Sequence, residues 1–367
     1  LPALQAAQPV RARHAIVVTR EPHATDAGVA VLRAGGNAVD AAVAVGFALA
    51  VTHPAAGNIG GGGFMLIRLA DGRARFVDFR ERAPLAASRD MYLGPDGAPT
   101  SESRLGYKAA GVPGTVRGLE AAHRKYGRRP WATLMSPAVK LAEKGFPVSW
   151  GLARSLKASK SLHQFPESKR VFLNGGRYWE PGDTLVQPEL ARTLERIARH
   201  GARDFYEGET ARRLSAAMTA AGGLITLEDL RQYAVVEREP LTGSYRGYRI
   251  VTAPPPSSGG VGILQMLGVL EKSGYEKHGA GSAAAVHYVV ETMRRFFAGR
   301  NAFLADPDFV RVPVRGLLDE RYIAKLRASI EPQRATPSDE IQTGDPAGYE
   351  SAETTHYSIV DAEGNAV

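Results

Sequence analysis

The chain has 367 residues, 44% hydrophobic and 23% charged, a composition that can bury a sizeable core in one large domain or two medium ones. It contains no cysteine, which excludes disulfides, thiolate catalysis and Cys-ligated zinc. The formal charge of +8 is scattered along helical stretches such as Arg192, Glu195, Arg196 and Arg199; with no basic block interleaved with aromatics, nucleic acid is not an expected partner.

In chain order, Leu1 to Val10 is small, apolar and Pro-containing, and reads as a mature N-terminus left by signal-peptide removal. The expectation is a periplasmic or secreted bacterial protein. Ala15 to Thr19 is a β-branched run and predicts a strand. A helix is expected from about Thr25 to the Gly35-Gly36 pair, and Asn37 can cap the next helix, which runs to about Thr52 before Pro54. The apolar run from Ala38 to Val51 contains Asp40 and is shorter than the roughly 20 residues of a membrane span. Being apolar nearly all round, it reads as a central helix, and no membrane span is expected.

A glycine run, Gly57-Asn58-Ile59-Gly60-Gly61-Gly62-Gly63, precedes an expected strand from Phe64 to Leu69. Asp71-Gly72 marks a tight turn, and Arg75 to Arg80 reads as the returning strand. That hairpin would bring the glycine loop and Arg80 to one rim. The middle of the chain is mostly helical by its three- and four-residue apolar spacing: Pro113 to Tyr126, Trp131 to Lys144, Gln187 to Arg199 and Glu209 to Ala221. Thr226-Leu227-Glu228-Asp229 has the shape of a capping box. Tyr245 to Thr252 predicts one strand, followed by helices up to about Leu270, over Ala283 to Leu304 and over Arg321 to Ser329. Glu331 to Ser351 reads as an exposed linker, Thr355 to Asp361 as a strand, and Glu363-Gly364-Asn365 as a turn into its hairpin partner.

Thr354 lies where that linker meets that strand. Taken alone, Glu353-Thr354-Thr355-His356 fits the polar start of an edge strand. In its setting, a second reading opens: a cut before Thr354 would make it an N-terminal residue. A hydroxyl needs a base to become a nucleophile, and an α-amino group with a pKa near 7.7–8.0 is partly neutral at pH 7 to 8. One residue then carries both groups. Before the cut, the same hydroxyl can attack the Glu353 carbonyl, giving an N-to-O acyl shift and then hydrolysis. Gly60 to Gly63 lacks the Gly-Lys-Ser/Thr or G-x-G-x-x-G context of a phosphate cradle, so close backbone packing is its expected role. Ser257-Ser258 reads as a turn before a helix, and His53 as a hydrogen-bonded structural residue. No His cluster has metal spacing and no H-E-x-x-H occurs; neither a metal nor a cofactor is expected.

The run Thr354-Thr355-His356-Tyr357-Ser358-Ile359-Val360-Asp361, continuing to Gly364-Asn365-Ala366-Val367, resembles the processing site and first small-subunit strand of the γ-glutamyltransferases. Gly35 to Ala42, His53-Pro54 through Gly60 to Met65, Asp78-Phe79-Arg80-Glu81, Gly111 to Thr115, Pro254 to Gly260 and Asp306 to Phe309 resemble further motifs of that family in the same order. The resemblance implies an α+β fold, the four-layer αββα sandwich of N-terminal-nucleophile hydrolases, with many helices in the large-subunit part. It implies residues 1–353 as large subunit, with 331–353 the linker before the cut, and 354–367 as the start of the small subunit. It also implies autocleavage between Glu353 and Thr354, Thr354 as nucleophile, and Arg80 as the cation for the donor's α-carboxylate. An Arg fork suits a carboxylate because it offers two parallel hydrogen bonds; a surface strand charge paired with Asp78 or Glu81 is the plainer reading.

The implied activity is γ-glutamyl transfer and hydrolysis, with glutathione or a similar donor and with water, amino acids or peptides as acceptors. The implied macromolecular partner is the protein's own small subunit. A glutaryl or cephalosporin acylase, a poly-γ-glutamate depolymerase and a processing-deficient non-enzymatic relative are the alternatives. Fourteen residues run from Thr354 to Val367, whereas the family's small subunit is far longer and is expected to hold the oxyanion-hole glycines and the acid that binds the donor's amino group. The chain by itself is therefore expected to be inactive.

Overall fold

The computed structural model describes residues 9–341 and 358–366. Strand β1 (Ile16–Val18) leads into helices α1 (Pro22–Arg33) and α2 (Ala38–Thr52). α1 starts three residues earlier than its apolar face predicts. Glu21 is the reason: its Oε2 accepts the Ala24 amide at 3.0 Å, and Pro22 at the first position needs no hydrogen-bond acceptor. α2 is capped as expected, with Asn37 Oδ1 accepting the Asp40 amide at 3.0 Å and Asp40 Oδ2 accepting the Asn37 amide at 2.9 Å. Every residue of α2 except Gly46 is buried, as its all-round apolar character demands. α2 packs against α1 and against α4 (below), and Gln187 Nε2 donates to the Val51 carbonyl at 2.8 Å near its end.

β2 (Phe64–Arg68) and β3 (Ala74–Asp78) form the expected hairpin, closed by the Leu69 amide to the Arg73 carbonyl at 2.8 Å. β3 ends two residues before Arg80. Helices α3 (Thr115–Tyr126) and α4 (Trp131–Lys144) follow, then the short strand β4 (Phe146–Pro147), α5 (Trp150–Ala158), α6 (Pro166–Phe172) and β5 (Thr184–Leu185), which pairs antiparallel with β4. α7 (Pro188–His200), α8 (Ala202–Glu207), α9 (Glu209–Ala220) and α10 (Leu227–Gln232) complete this stretch. α4 packs on α7, and the Trp131 indole donates to the Ile197 carbonyl at 3.0 Å. From α8, the buried Tyr206 hydroxyl donates to the Pro113 carbonyl at 2.9 Å and accepts the Arg117 amide at 3.2 Å, tying α8 to the entry of α3.

Next come β6 (Val236–Arg238), β7 (Leu241–Tyr245), β8 (Tyr248–Thr252), α11 (Ser258–Glu271), α12 (Ala283–Phe303), α13 (Val314–Leu317), α14 (Glu320–Ala328) and β9 (Ser358–Val360). The single strand expected over Tyr245 to Thr252 is a hairpin instead: β7 pairs antiparallel with β8 around Arg246 and Gly247, with φ of 49° and 83°. Two successive left-handed residues make the tight reversal that matches strand twist, and Arg-Gly is a weaker signal for it than Asn-Gly. Among the described residues, no sheet has more than three strands, and helices dominate.

The chain divides into two compact units. Of the described residues, one holds 9–73, 77–236 and 358–366, the other 74–76 and 237–341. The first has a large core centred on α2, including Phe47, Leu49, Ile67, Leu119, Leu134, Phe205 and Tyr206. The second contains a small apolar cluster of Val269, Ile323 and Ile330. Beside it lies a buried polar knot: Glu291 accepts from Arg295 Nη1 at 2.6 Å and from Thr336 Oγ1 at 2.6 Å. Through this knot the mostly exposed residues 331–341 are fastened to α12, with His287 adding a 2.7 Å contact to the Glu331 carbonyl.

Candidate active site

The glycine loop and Arg80 do meet at one rim, as the hairpin predicts. Gly63 and Phe79 exchange both backbone hydrogen bonds, at 3.2 and 3.0 Å. A Cβ on Gly62 would lie 2.5 Å from the Phe79 carbonyl oxygen and 2.6 Å from the Glu81 amide, so only glycine lets the loop pass this close to the segment that carries Arg80. The Gly61 carbonyl accepts the Gly114 and Thr115 amides at 2.6 and 3.0 Å. α3 starts at Thr115, two residues later than its apolar spacing predicts, with Gly114 as its N-cap. Those amides, the ones a phosphate would use at a helix start, are taken up by the chain itself, in keeping with a packing role for the loop.

Arg80 is half-buried, and its backbone is held on both sides. Its amide donates to Asp78 Oδ1 at 3.1 Å, and its carbonyl accepts the Tyr233 hydroxyl at 2.9 Å. Two residues on, Arg82 and Val112 exchange backbone hydrogen bonds at 3.2 and 2.7 Å. The Leu85 amide donates to Asp229 Oδ1 at 2.6 Å. Asp229 is also the capping-box residue of α10, its Oδ2 accepting the Thr226 amide at 2.7 Å. The short helix α10 therefore grips the 80–85 segment at two points, through Asp229 inside it and Tyr233 at its end. Tyr233 is buried, and its ring stacks on that of Tyr206 with centroids 5.7 Å apart. Burial, with Tyr206 and Asp78 nearby, pushes the Tyr233 phenol well above its ordinary pKa, so it stays protonated as a donor. Sequence reasoning passed over Tyr233; its only trace there is the capping box that announces α10.

Thr354 and Glu353 lie outside the described residues, so their placement relative to Arg80 is not described. The strand that follows them is described in part. β9 pairs antiparallel with β1, Ile16 opposite Val360 and Val18 opposite Ser358. Just beyond it, the buried Asp361 acts as a hub. Its Oδ2 accepts the Ala38 amide at the start of α2 (3.1 Å) and Asn365 Nδ2 (2.7 Å), while Oδ1 accepts the amides of Glu363 (3.0 Å) and Asn365 (2.9 Å). Asn365 Oδ1 in turn accepts the Ala70 amide at 2.8 Å. The expected turn is present, with Gly364 at φ 85° and Val360 bridged to Ala366.

The remaining residues weighed from sequence have structural surroundings. Ser257 caps α11 by accepting the Gly259 amide at 3.3 Å, and Ser258 Oγ accepts from Arg300 at 3.0 Å. His53 is the C-cap of α2, its amide bonded to the Leu49 carbonyl at 2.9 Å. Among the described residues, no group of three or more His, Asp or Glu could hold a metal ion, and no helix is long and apolar enough to cross a membrane.

Comparison with known proteins gives a consistent result. The Gamma-glutamyltranspeptidase family model matches residues 24–367. A Glutathione hydrolase proenzyme of Pseudomonas sp. (strain A14) is 52% identical over 98% of this chain and 63% of its own length. An Acylase ACY 1 proenzyme of Pseudomonas sp. (strain SE83) is 42% identical over 98% of this chain and 65% of its own length. Among solved structures, the gamma-glutamyltranspeptidase of Helicobacter pylori superposes with a TM-score of 0.88 at 43% identity, covering 95% of this chain and 100% of that one. The chain thus spans less than two thirds of the length of these curated relatives.

Proposed function

The chain belongs to the gamma-glutamyltranspeptidase family and shares its N-terminal-nucleophile hydrolase fold; from that premise we propose that the whole protein transfers γ-glutamyl groups through Thr354. In the precursor, the Thr354 hydroxyl attacks the Glu353 carbonyl carbon and the peptide nitrogen leaves as the free α-amine. Water then hydrolyses the resulting ester, leaving residues up to 353 as the large subunit. In the mature protein that amine takes the hydroxyl proton while Thr354 Oγ attacks the γ-carbonyl of a donor such as glutathione. The proton passes to the departing amine, cysteinylglycine in the case of glutathione. Water, an amino acid or a peptide then releases the γ-glutamyl group from the threonine ester.

Arg80 binds the donor's α-carboxylate in this reading. The observation that carries it is the construction around residue 80: a glycine loop, a helix start and α10 all converge to fix the backbone of one half-buried arginine. Such fixing is what a carboxylate clamp requires, because a preorganised fork loses less entropy on binding. The small subunit starts at Thr354 and stays docked through β9 and Asp361.

The acylase relative favours a second reading, in which the acyl group is glutaryl-like, keeping the terminal carboxylate but lacking the α-amino group. One experiment addresses both. The full-length protein, and its Thr354→Ala variant, are incubated and followed by denaturing mass spectrometry, then offered γ-glutamyl and glutaryl p-nitroanilides. The expected result is a fragment beginning at Thr354 in the parent alone, and release from the γ-glutamyl compound at least about tenfold faster, the worth of one good charge-assisted contact. An intact parent chain would abandon the enzyme reading; faster glutaryl release would select the acylase.

A further inference from the structure

We propose that Tyr233 is the positioning residue of the donor-carboxylate clamp, acting on substrate only through its hydrogen bond to the Arg80 carbonyl; this rests on the assignment of Arg80 above. The two peptide groups flanking the Arg80 Cα set the direction of its side chain. Asp78 holds the first, at the amide, and Tyr233 holds the second, at the carbonyl, 2.9 Å from its hydroxyl. The Asp78 bond is a local turn between residues two apart. The Tyr233 bond comes from the end of α10, 153 residues further along the chain, and so registers residue 80 itself against a distant part of its unit.

The surroundings are shaped for that hydroxyl. Gly114 faces it so closely that a Cβ there would lie 2.1 Å from the Tyr233 oxygen and 2.0 Å from the Phe79 carbonyl oxygen. Tyr206 stacks on the ring from one side, and the Arg82 guanidinium lies 5.9 Å from its centroid. Asp229 anchors α10 to the Leu85 amide, so the helix end that presents Tyr233 cannot drift from the 80–85 segment without breaking a second hydrogen bond. Without the Tyr233 hydrogen bond at its carbonyl, the peptide after Arg80 gains freedom to tilt between its held neighbours at 79 and 82, and the guanidinium approaches a carboxylate less precisely while keeping its charge. The consequence is weaker donor binding at unaltered chemistry, because Thr354 and its amine are untouched.

The test uses the full-length, self-processed protein with γ-glutamyl p-nitroanilide and with 4-aminobutyryl p-nitroanilide, which is the same donor without the α-carboxylate. Tyr233→Phe is expected to raise KM for the first about 3–10-fold, the worth of one neutral hydrogen bond. Its kcat should stay within about twofold, and its action on the second donor should match the parent's. Tyr206→Phe removes a comparable buried hydroxyl from the neighbouring ring and should leave KM unchanged; it shows what a merely structural loss does, and if Tyr233→Phe folds poorly, Tyr233→Leu, which removes the hydroxyl without adding bulk, takes its place. Arg80→Ala separates the two layers of the argument. If it raises KM and Tyr233→Phe does not, or if Tyr233→Phe impairs both donors alike, the role of Tyr233 falls and the Arg80 assignment stands. If Arg80→Ala leaves KM unchanged, the assignment itself is wrong and this inference goes with it.

Discussion

At position 114, where an added methyl group would sit 2.0 Å from one oxygen and 2.1 Å from another, a glycine is required for space and not for an unusual φ. The same holds at Gly118, whose Cβ would meet the Phe79 side chain at 2.1 Å. The backbone around Arg80 is thus built from close approaches that a Cβ would spoil. Gly114→Ala should destabilise the protein by about 3 kcal/mol, at the upper end of overpacking costs, because the obstructing atoms belong to a backbone carbonyl and a buried phenol. Thermal unfolding would show this as a clear drop in Tm, and an unchanged Tm would mean that α10 and the loop can separate cheaply.

At the scale of elements, the docking of β9 depends on more than its three-residue pairing with β1. Asp361 gathers four donors, among them the Ala38 amide at the start of α2. A carboxylate there satisfies backbone groups that the helix cannot satisfy itself and complements its dipole. Asp361→Ala should lower stability by about 2–4 kcal/mol, since it strands buried amides as well as removing contacts. It should also slow cleavage before Thr354; both effects are read from denaturant midpoints and the time course of fragment appearance. Glu363→Ala is the contrast. Its pair with Arg128, at 2.6 and 2.9 Å, joins two side chains that are each 53% exposed, and its loss should scarcely register because water screens such pairs.

Over the whole molecule, the two units differ in what stabilises them. The unit around α2 has a broad apolar core, whereas the apolar cluster of residues 269, 323 and 330 sits beside an ionised knot. Glu291 has a side chain only 1% exposed and paired with Arg295. Burial opposes its charge, but hydrogen bonds from Thr336 and Arg295 outweigh that and hold its pKa at about 2. A carboxyl whose pKa is depressed on folding stabilises the folded state above its unfolded value and loses that contribution as pH falls toward the folded one. The stability of this unit should therefore decline between roughly pH 5 and pH 2. In Glu291→Gln the decline should be shallower while stability at neutral pH is lower, measured by denaturation at a series of pH values. A parent and variant with parallel pH profiles would remove Glu291 from this role.

What the sequence determined by itself was whatever its local pattern encodes. The apolar run behind Asn37 prescribed a capped, fully buried α2; Asp71-Gly72 prescribed the hairpin that brings the glycine loop to Arg80; and the ordered motifs prescribed the family. Short-range rules failed where a distant or unusual group intervened. Glu21 starts α1 early, and Arg246-Gly247 splits one expected strand into two. Tertiary structure alone decided that Tyr233 meets the Arg80 carbonyl and that Asp361 meets the Ala38 amide, pairs separated by 153 and 323 residues. Periodicity and capping are written in neighbouring side chains, each following from its own few residues. A buried polar group finds its partner only when the packed core brings the two segments together, and no local pattern records which segments those will be.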